Sequence, residues 1–322
     1  MLRSLVALLC ALAAVPALGQ AAGTHRLGLL SPASSSAMAA RVAAIKQGLA
    51  DLGYREGRNY TIEYRWAEGN DTRLVDLAHE LVRTNVALIL VHGVQAAQVA
   101  RQATQKIPIV CFACGDVIAT RLVDSLSRPG GNITGVTSAN PATAGKRLEL
   151  LKELIPGLTR VAVLWNSRNP VSVPELKETE VAARVLGLTV HSIGVRDPAE
   201  YAGAFSAMAR ERAQGLVIIS DATFHGRPKE LADLAQAHSI PAIAWAGELA
   251  NAGILLGYGP DGIAQARRSA NFVDKILKGA KPGELPMEQP LKFEFRVNLR
   301  TAAALKLSVP QSMIFRADQV IE

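Results

Sequence analysis

The strongest constraint on this chain is an alternation of strand and helix signals that runs through it twice. HRLGLLS at 25–31 is a short apolar run ending in a polar turn, which predicts a strand. Residues 37–52 bring Ala40, Ala43, Ala44, Leu49 and Leu52 near helical spacing, and Gly53 stops that helix. NYTIEYRWA at 59–67 alternates polar and apolar residues, as a strand near a sheet edge does. Asp71 can begin a helix that carries Leu74, Leu77, Leu81 and Val82. VALILVH at 86–92 reads as a fully buried strand, 94–105 as a helix and IPIVCFA at 107–113 as the next strand. This order predicts a parallel sheet with helices on both faces.

The turn-rich RPGGNITG at 128–135, followed by VTS, interrupts the pattern. A helix over 141–154 then leads into a second series. Its strands are expected at 160–166, 188–195, 215–220 and 240–245, and its helices near 172–186, 198–212 and 227–237. After GILLGYGP at 253–260 come a helix over 261–278, the Pro-rich KPGELPMEQP at 281–290, a strand-like FEFRVNL at 293–299 and a helix over 300–306. The chain of 322 residues is long enough for two domains with separate cores. The fold class is α/β, with two Rossmann-like lobes that each hold a parallel sheet flanked by helices.

The chain opens with Arg3 and an apolar run from Leu5 to Leu18, followed by the small residues Ala17 and Gly19. This predicts a secretory signal over 1–19, cleaved before Gln20. Cys10 is not read as a lipid-attachment site, because Leu9 precedes it and the apolar run continues past it. Export places the mature protein in the periplasm, where ATP and NADH are not routine substrates. A hydrophobic content of 49% with 20% charged residues is globular, which excludes disorder. The net charge of +7 is spread along the chain without runs, and aromatics are 5%. That pattern gives solubility and a mild bias toward anions, not nucleic-acid binding. The six histidines show no metal-ligand spacing, so neither a metal nor a cofactor is expected. Cys111 and Cys114 lie in an expected strand, where residues three apart are about 10 Å apart. They are therefore expected to be free, buried thiols, unless the chain reverses at Phe112–Ala113.

Two α/β lobes leave a cleft at the carboxyl ends of their strands, where open sheets bind ligands. Candidate positions in the first lobe are Ser31, His92 to Gln95 and Cys114 to Val117. In the second lobe they are Asn166 and Ser167, Ser220 to Thr223, and Trp245 to Gly247. The crossing segments at 135–140 and 256–260 add Ser138 and Tyr258.

Long segments of the chain resemble the substrate-binding proteins of ABC transporters, in the family that includes the tryptophan-binding TrpX proteins. They include GLADLGYREGRNYTIEYRWAEG at 48–69, LVDSLSRPGGNITGVTS at 122–138, KRLELLKELIPGLTRVAVLWN at 146–166 and VDKILKGAKPGELPMEQPLKFEF at 273–295. The resemblance implies a type I periplasmic-binding-protein fold with three crossovers, near 137, 258 and 288. It divides the mature chain into an N-terminal lobe of 20–137 plus 259–288 and a C-terminal lobe of 138–258 plus 289–322. It also implies a monomer that captures a small molecule and delivers it to an inner-membrane permease. Three positions depart from the family pattern: Val117 follows Asp116 where Pro is usual, Val94 follows Gly93 where a hydroxyl residue is common, and Cys111 stands where an aromatic or aliphatic residue is common. These departures leave the identity of the ligand open.

The expected ligand carries a carboxylate and is an amino acid with an apolar or aromatic side chain. Backbone N–H groups at the helix starts near Ser31, Gly93, Val94 and Gln95 are candidates for its carboxylate, against a plain capping role. Asp221 is a candidate for an ammonium group, or else a turn residue. Asp116 either touches the ligand or starts a helix. Tyr258 and Trp245 offer rings to an apolar part, or serve as hinge and core packing. The competing class is an exported enzyme with a Rossmann-like lobe that acts on a small organic acid. LGLLSPASSS lacks a glycine-rich phosphate loop, and no Ser-His-Asp or nucleophile-elbow motif is present. A repressor effector domain would need DNA-binding helices, which the sequence lacks.

Overall fold

A computed structural model describes residues 24–138, 142–169 and 172–322. The expected signal at 1–19, with Cys10, lies outside the described residues. The first lobe is built from β1 (His25–Ser31), α1 (Ser35–Asp51), β2 (Tyr60–Trp66), α2 (Leu74–Arg83), β3 (Leu88–His92), α3 (Gly93–Ala103), β4 (Ile109–Cys114) and β5 (Ile133–Thr137). These strands form one parallel sheet in the order β2-β1-β3-β4-β5, which puts the alternating β2 at an edge. The period of two along β1 sends Leu27 and Leu29 to one core and Leu30 to another, all fully buried.

The second lobe contains α4 (Ala142–Leu154), β6 (Arg160–Asn166), α5 (Ser172–Val185), β7 (Thr189–Val195), α6 (Tyr201–Arg210), β8 (Gly215–Ile218), α7 (Pro228–Ala237), β9 (Ala242–Ala244) and β10 (Leu256–Pro260). The chain then returns to the first lobe as α8 (Gly262–Leu277), which packs on α1, β4 and β5. It goes back as β11 (Phe293–Asn298), followed by α9 (Leu299–Ala304), α10 (Gln311–Arg316) and β12 (Gln319–Ile321). The order of the second sheet is β12-β11-β10-β9-β8-β6-β7. β11 arrives from the other lobe and runs antiparallel to β10, so this sheet is parallel everywhere except at that pair. The chain thus passes between the sheets after β5, after β10 and before β11.

Helix ends follow their capping residues. Ser34 accepts a hydrogen bond from the Ala37 N–H at the start of α1, and Asp261 does the same for Ala264 at the start of α8. α1 and α8 approach closely at Gly48, where an added Cβ would lie 2.6 Å from the Arg267 carbonyl oxygen.

Two expectations are corrected. The stretch read as a turn after 128 contains β5, whose Gly135 lies so near β4 that a Cβ would fall 1.9 Å from the Cys111 carbonyl oxygen. Only glycine fits there, so a residue that looks like a turn signal is a strand residue beside a bulge. Cys111 and Cys114, expected as free thiols, form a disulfide. Ala113 takes a left-handed φ of 51° and the β4–β5 register shifts between the two cysteines. The bulge shortens their Cα separation to 6.0 Å, within disulfide reach.

Candidate functional site

Both lobes line a cavity of about 120 Å³ at the carboxyl ends of their strands. That is roughly ten times the space one buried water needs, so it has room for a small organic molecule. The first lobe contributes Arg41, His92, Gly93, Val94, Gln95, Ala113, Gly115 and Asp116. The second contributes Arg147, Asn169, Glu175, Ser220, Asp221, Ala222 and Trp245. Ser138, Pro260, Gly262 and Gln265 sit where the chain crosses.

The wall of the first lobe is the start of α3. Gly93 has a φ of +81°, and an added Cβ would lie 2.8 Å from the Ala222 Cβ in the facing lobe. No side chain caps this helix and its first turn holds no acid. The first-turn N–H groups have no intrahelical partner, so they favour an anion. Asp116 accepts from the Ile118 and Ala119 N–H groups at 3.0 and 2.9 Å through Oδ1. Its Oδ2 accepts no hydrogen bond from the described residues, and the residue lines the cavity.

Three sets of polar contacts bridge the lobes. Gln95 Nε2 donates to Asp221 Oδ2 at 2.7 Å. Asp71, just before α2, accepts from Thr223 Oγ1 at 2.7 Å and from Asn166 Nδ2 at 3.2 Å. Arg41 of α1 donates to Glu248 and, on its own side, to His92 Nε2. Since His92 Nε2 accepts, its proton sits on Nδ1 and is donated to Ser31 Oγ at 3.1 Å. His225 Nε2 donates to the same Glu248 oxygen at 3.1 Å.

These contacts shift protonation. Burial, reinforced by the Arg41 charge, holds His92 and His225 below the usual histidine range, so both are neutral. Burial alone would raise Glu248, but Arg41 and His225 outweigh it and hold the carboxyl well below its usual range. Burial, followed by the Asp221 charge, pushes Asp71 up to about 6.

Of the ten expected site residues, Gly93, Val94, Gln95, Asp116, Ser138, Asp221 and Trp245 line the cavity. Three do not. Ser31 is fully buried, bonded to His92 and the Ala33 N–H, while Ser34 caps the helix that was to use it. Asn166 is spent on Asp71 and the Arg168 N–H. Tyr258 lies within the antiparallel β10–β11 pair, against Phe293 and Phe295, with ring centroids 6.5 and 6.4 Å away. The expected role of Asp221 also changes. It accepts from Gln95, from Asn169 Nδ2 at 2.8 Å, and from the Thr223 and Phe224 N–H groups at 2.7 and 3.3 Å. Four bonds fill the acceptor sites of a carboxylate, so it serves the lobe interface.

The residues not anticipated are chiefly Arg41 and Arg147, which are 3% and 2% exposed. Arg41 shares the buried stripe of α1 with Met38, Ala44 and Ile45, and Arg147 shares that of α4 with Leu150, Leu151 and Leu154. A basic residue at the apolar spacing of a helix was the available signal. Among the described residues, no group of three or more His, Cys, Asp or Glu could hold a metal ion, and no helix is long and apolar enough to cross a membrane.

The family model described as ABC transporter substrate binding protein matches residues 26–321. A "Tyrosine-binding protein" of Clostridioides difficile (strain R20291) is 26% identical over 276 residues, covering 85% of this chain and 79% of the relative. A Streptococcus pneumoniae ABC domain solved in complex with L-Trp is 27% identical, with a TM-score of 0.85 over 93% of this chain and 100% of that one. A conserved domain protein from Vibrio cholerae O1 is 25% identical, also at a TM-score of 0.85, over 92% of this chain and 99% of that one.

Proposed function

The chain belongs to the ABC transporter substrate-binding protein family, and on that premise we propose that it is the exported solute receptor of an importer. Its ligand is an amino acid with an apolar or aromatic side chain, held between the lobes. The relatives that bind tyrosine and L-Trp support this class. The protein works in the periplasm as a monomer and hands its ligand to an inner-membrane permease.

One observation carries the reading: a cavity walled by both lobes has, on one side, a helix start whose amides no side chain caps. The ligand carboxylate accepts from the Gly93, Val94 and Gln95 N–H groups. Its ammonium group meets Oδ2 of Asp116, and its side chain lies against Val94 and Trp245. The ligand touches both walls only when the lobes are together, so it binds the closed form better and shifts the open–closed balance toward it. Mass spectrometry of small molecules released from denatured, freshly purified protein tests the reading. An amino acid at near-equimolar amount is expected; a sugar or another molecule without a carboxylate in its place would overturn it.

A further inference from the structure

Asp71 stands in the turn before α2 of the first lobe. Both side chains that donate to it, Thr223 Oγ1 at 2.7 Å and Asn166 Nδ2 at 3.2 Å, belong to the second lobe. Thr223 is shared. Its backbone N–H donates to Asp221 Oδ1 at 2.7 Å, so one residue joins two carboxylates across the interface. The other donors to Asp221 are Gln95, Asn169 and the Phe224 N–H, so every donor to the two acids is neutral. Carboxylates brought together in this way disfavour their double ionisation, and a proton on one of them relieves it. Asp71 accepts only two bonds, which leaves it a lone pair for that proton. The cations nearby do not relieve the pair instead. Arg168 is exposed, and its charge counts for less at Asp71 than that of Asp221. Arg227 lies over Gly69 but pairs with Glu230, and Arg73, on the same turn as Asp71, is exposed. Burial keeps the nearby Tyr201 phenol neutral.

We propose that lobe closure takes up a proton at Asp71, so that the protein captures its ligand more tightly in mildly acidic surroundings than in neutral ones. This rests on the reading of the cavity as an amino-acid site closed by the two lobes. With the lobes apart, Asp71 loses both of its bonds and the neighbouring Asp221 charge, and its carboxyl returns toward the ordinary 3.8. With the lobes together, burial and then Asp221 push it up to about 6. The closed form therefore binds the proton better, and acid favours closure as pH falls from 6 toward 3.8; above that window the effect is absent. His92 and His225 act in the opposite sense, being neutral in the closed form. Their effect is the same in a variant changed only at Asp71, so a comparison with that variant cancels it.

The test is calorimetric titration of the wild type and of Asp71→Asn with the natural amino acids, L-tryptophan and L-tyrosine first, at pH 7.5, 6 and 5. Two buffers of different ionisation enthalpy at each pH count the protons taken up. From pH 7.5 to 5, wild-type affinity should rise about tenfold relative to the variant, and at pH 5 the wild type should take up most of one proton more per ligand bound. The carboxyl carbon of Asp71, followed by NMR in the wild type, gives a second readout that needs no variant. Its titration midpoint should move from near the ordinary 3.8 to about 6 when ligand is bound. A constant affinity ratio with equal proton counts, or a midpoint that ligand does not move, would overturn the linkage while leaving the amino-acid reading intact. Failure of every amino acid to bind would overturn both.

Discussion

The side-chain amide of Gln95 in the first lobe donates to the carboxylate of Asp221 in the second, at 2.7 Å across the cleft. Gln95 stands in the first turn of the helix whose amides face the cavity, so this bond and the expected ligand contacts form at the same place. On the proposed reading, lobe contact and ligand capture are thereby linked.

That linkage depends on the absence of a side chain at Gly93. Gly93→Ala places a methyl group 2.8 Å from the Ala222 Cβ and adds about 1 kcal/mol or more of backbone strain at φ +81°. Each lobe keeps its own core, but the lobes can no longer meet. We expect the variant to fold, to bind its co-purified ligand at least tenfold more weakly, and to show a larger radius of gyration in solution scattering than the wild type.

The disulfide makes a second prediction. Mass measurement of alkylated, unreduced, unfolded protein should find neither Cys111 nor Cys114 labelled. The double variant C111A/C114A should lose about 2 kcal/mol of stability in urea unfolding, as expected for releasing so short a loop. Ala113, Gly115 and Asp116 line the cavity beside this bond, so the variant should also bind ligand more weakly.

Acid should act in two opposed ways. His92 and His225 are neutral when folded and titrate below their unfolded value of about 6.5. Their contribution is complete above that value and is lost as pH falls toward their folded values. Asp71 is the reverse. Raised to about 6 by burial and then by Asp221, it binds protons better in the folded state, so its cost fades as pH falls below 6. That cost is at most about 3 kcal/mol. Urea unfolding between pH 7.5 and 5 should therefore show Asp71→Asn losing stability more steeply on acidification than the wild type. Parallel profiles would contradict the assignment.

Tyr258 separates packing from ligand contact. Tyr258→Phe should bind as the wild type does, since the ring lies against Phe293 and Phe295 and not in the cavity. Tyr258→Ala should cost roughly 3 kcal/mol in unfolding of the second lobe.

What the residues disclosed in advance follows from which physics is local. The period of two in NYTIEYRWA and the buried run VALILVH set their strands without help from the rest of the chain. Gly53 marks a helix end by its own chemistry. β5 was hidden because Gly130, Gly131 and Gly135 look like turn signals, while the need for glycine at Gly135 comes from a neighbouring strand. The disulfide was hidden because the bulge at Ala113 is a property of the β4–β5 pairing. Arg41 and Arg147 were missed because the cavity that they line forms only where the two lobes meet. Tyr258 misled for the same reason: its position near a crossing suggested the cleft, but its antiparallel neighbours claimed the ring.

The central claim is that an amino acid is held between the lobes against the start of α3. Calorimetric titration of the purified protein with the individual amino acids, repeated on Gly93→Ala, tests it most directly. The account predicts one-to-one binding of at least one amino acid, weakened at least tenfold in the variant. Binding of no amino acid, or binding of equal strength in the two proteins, would contradict it.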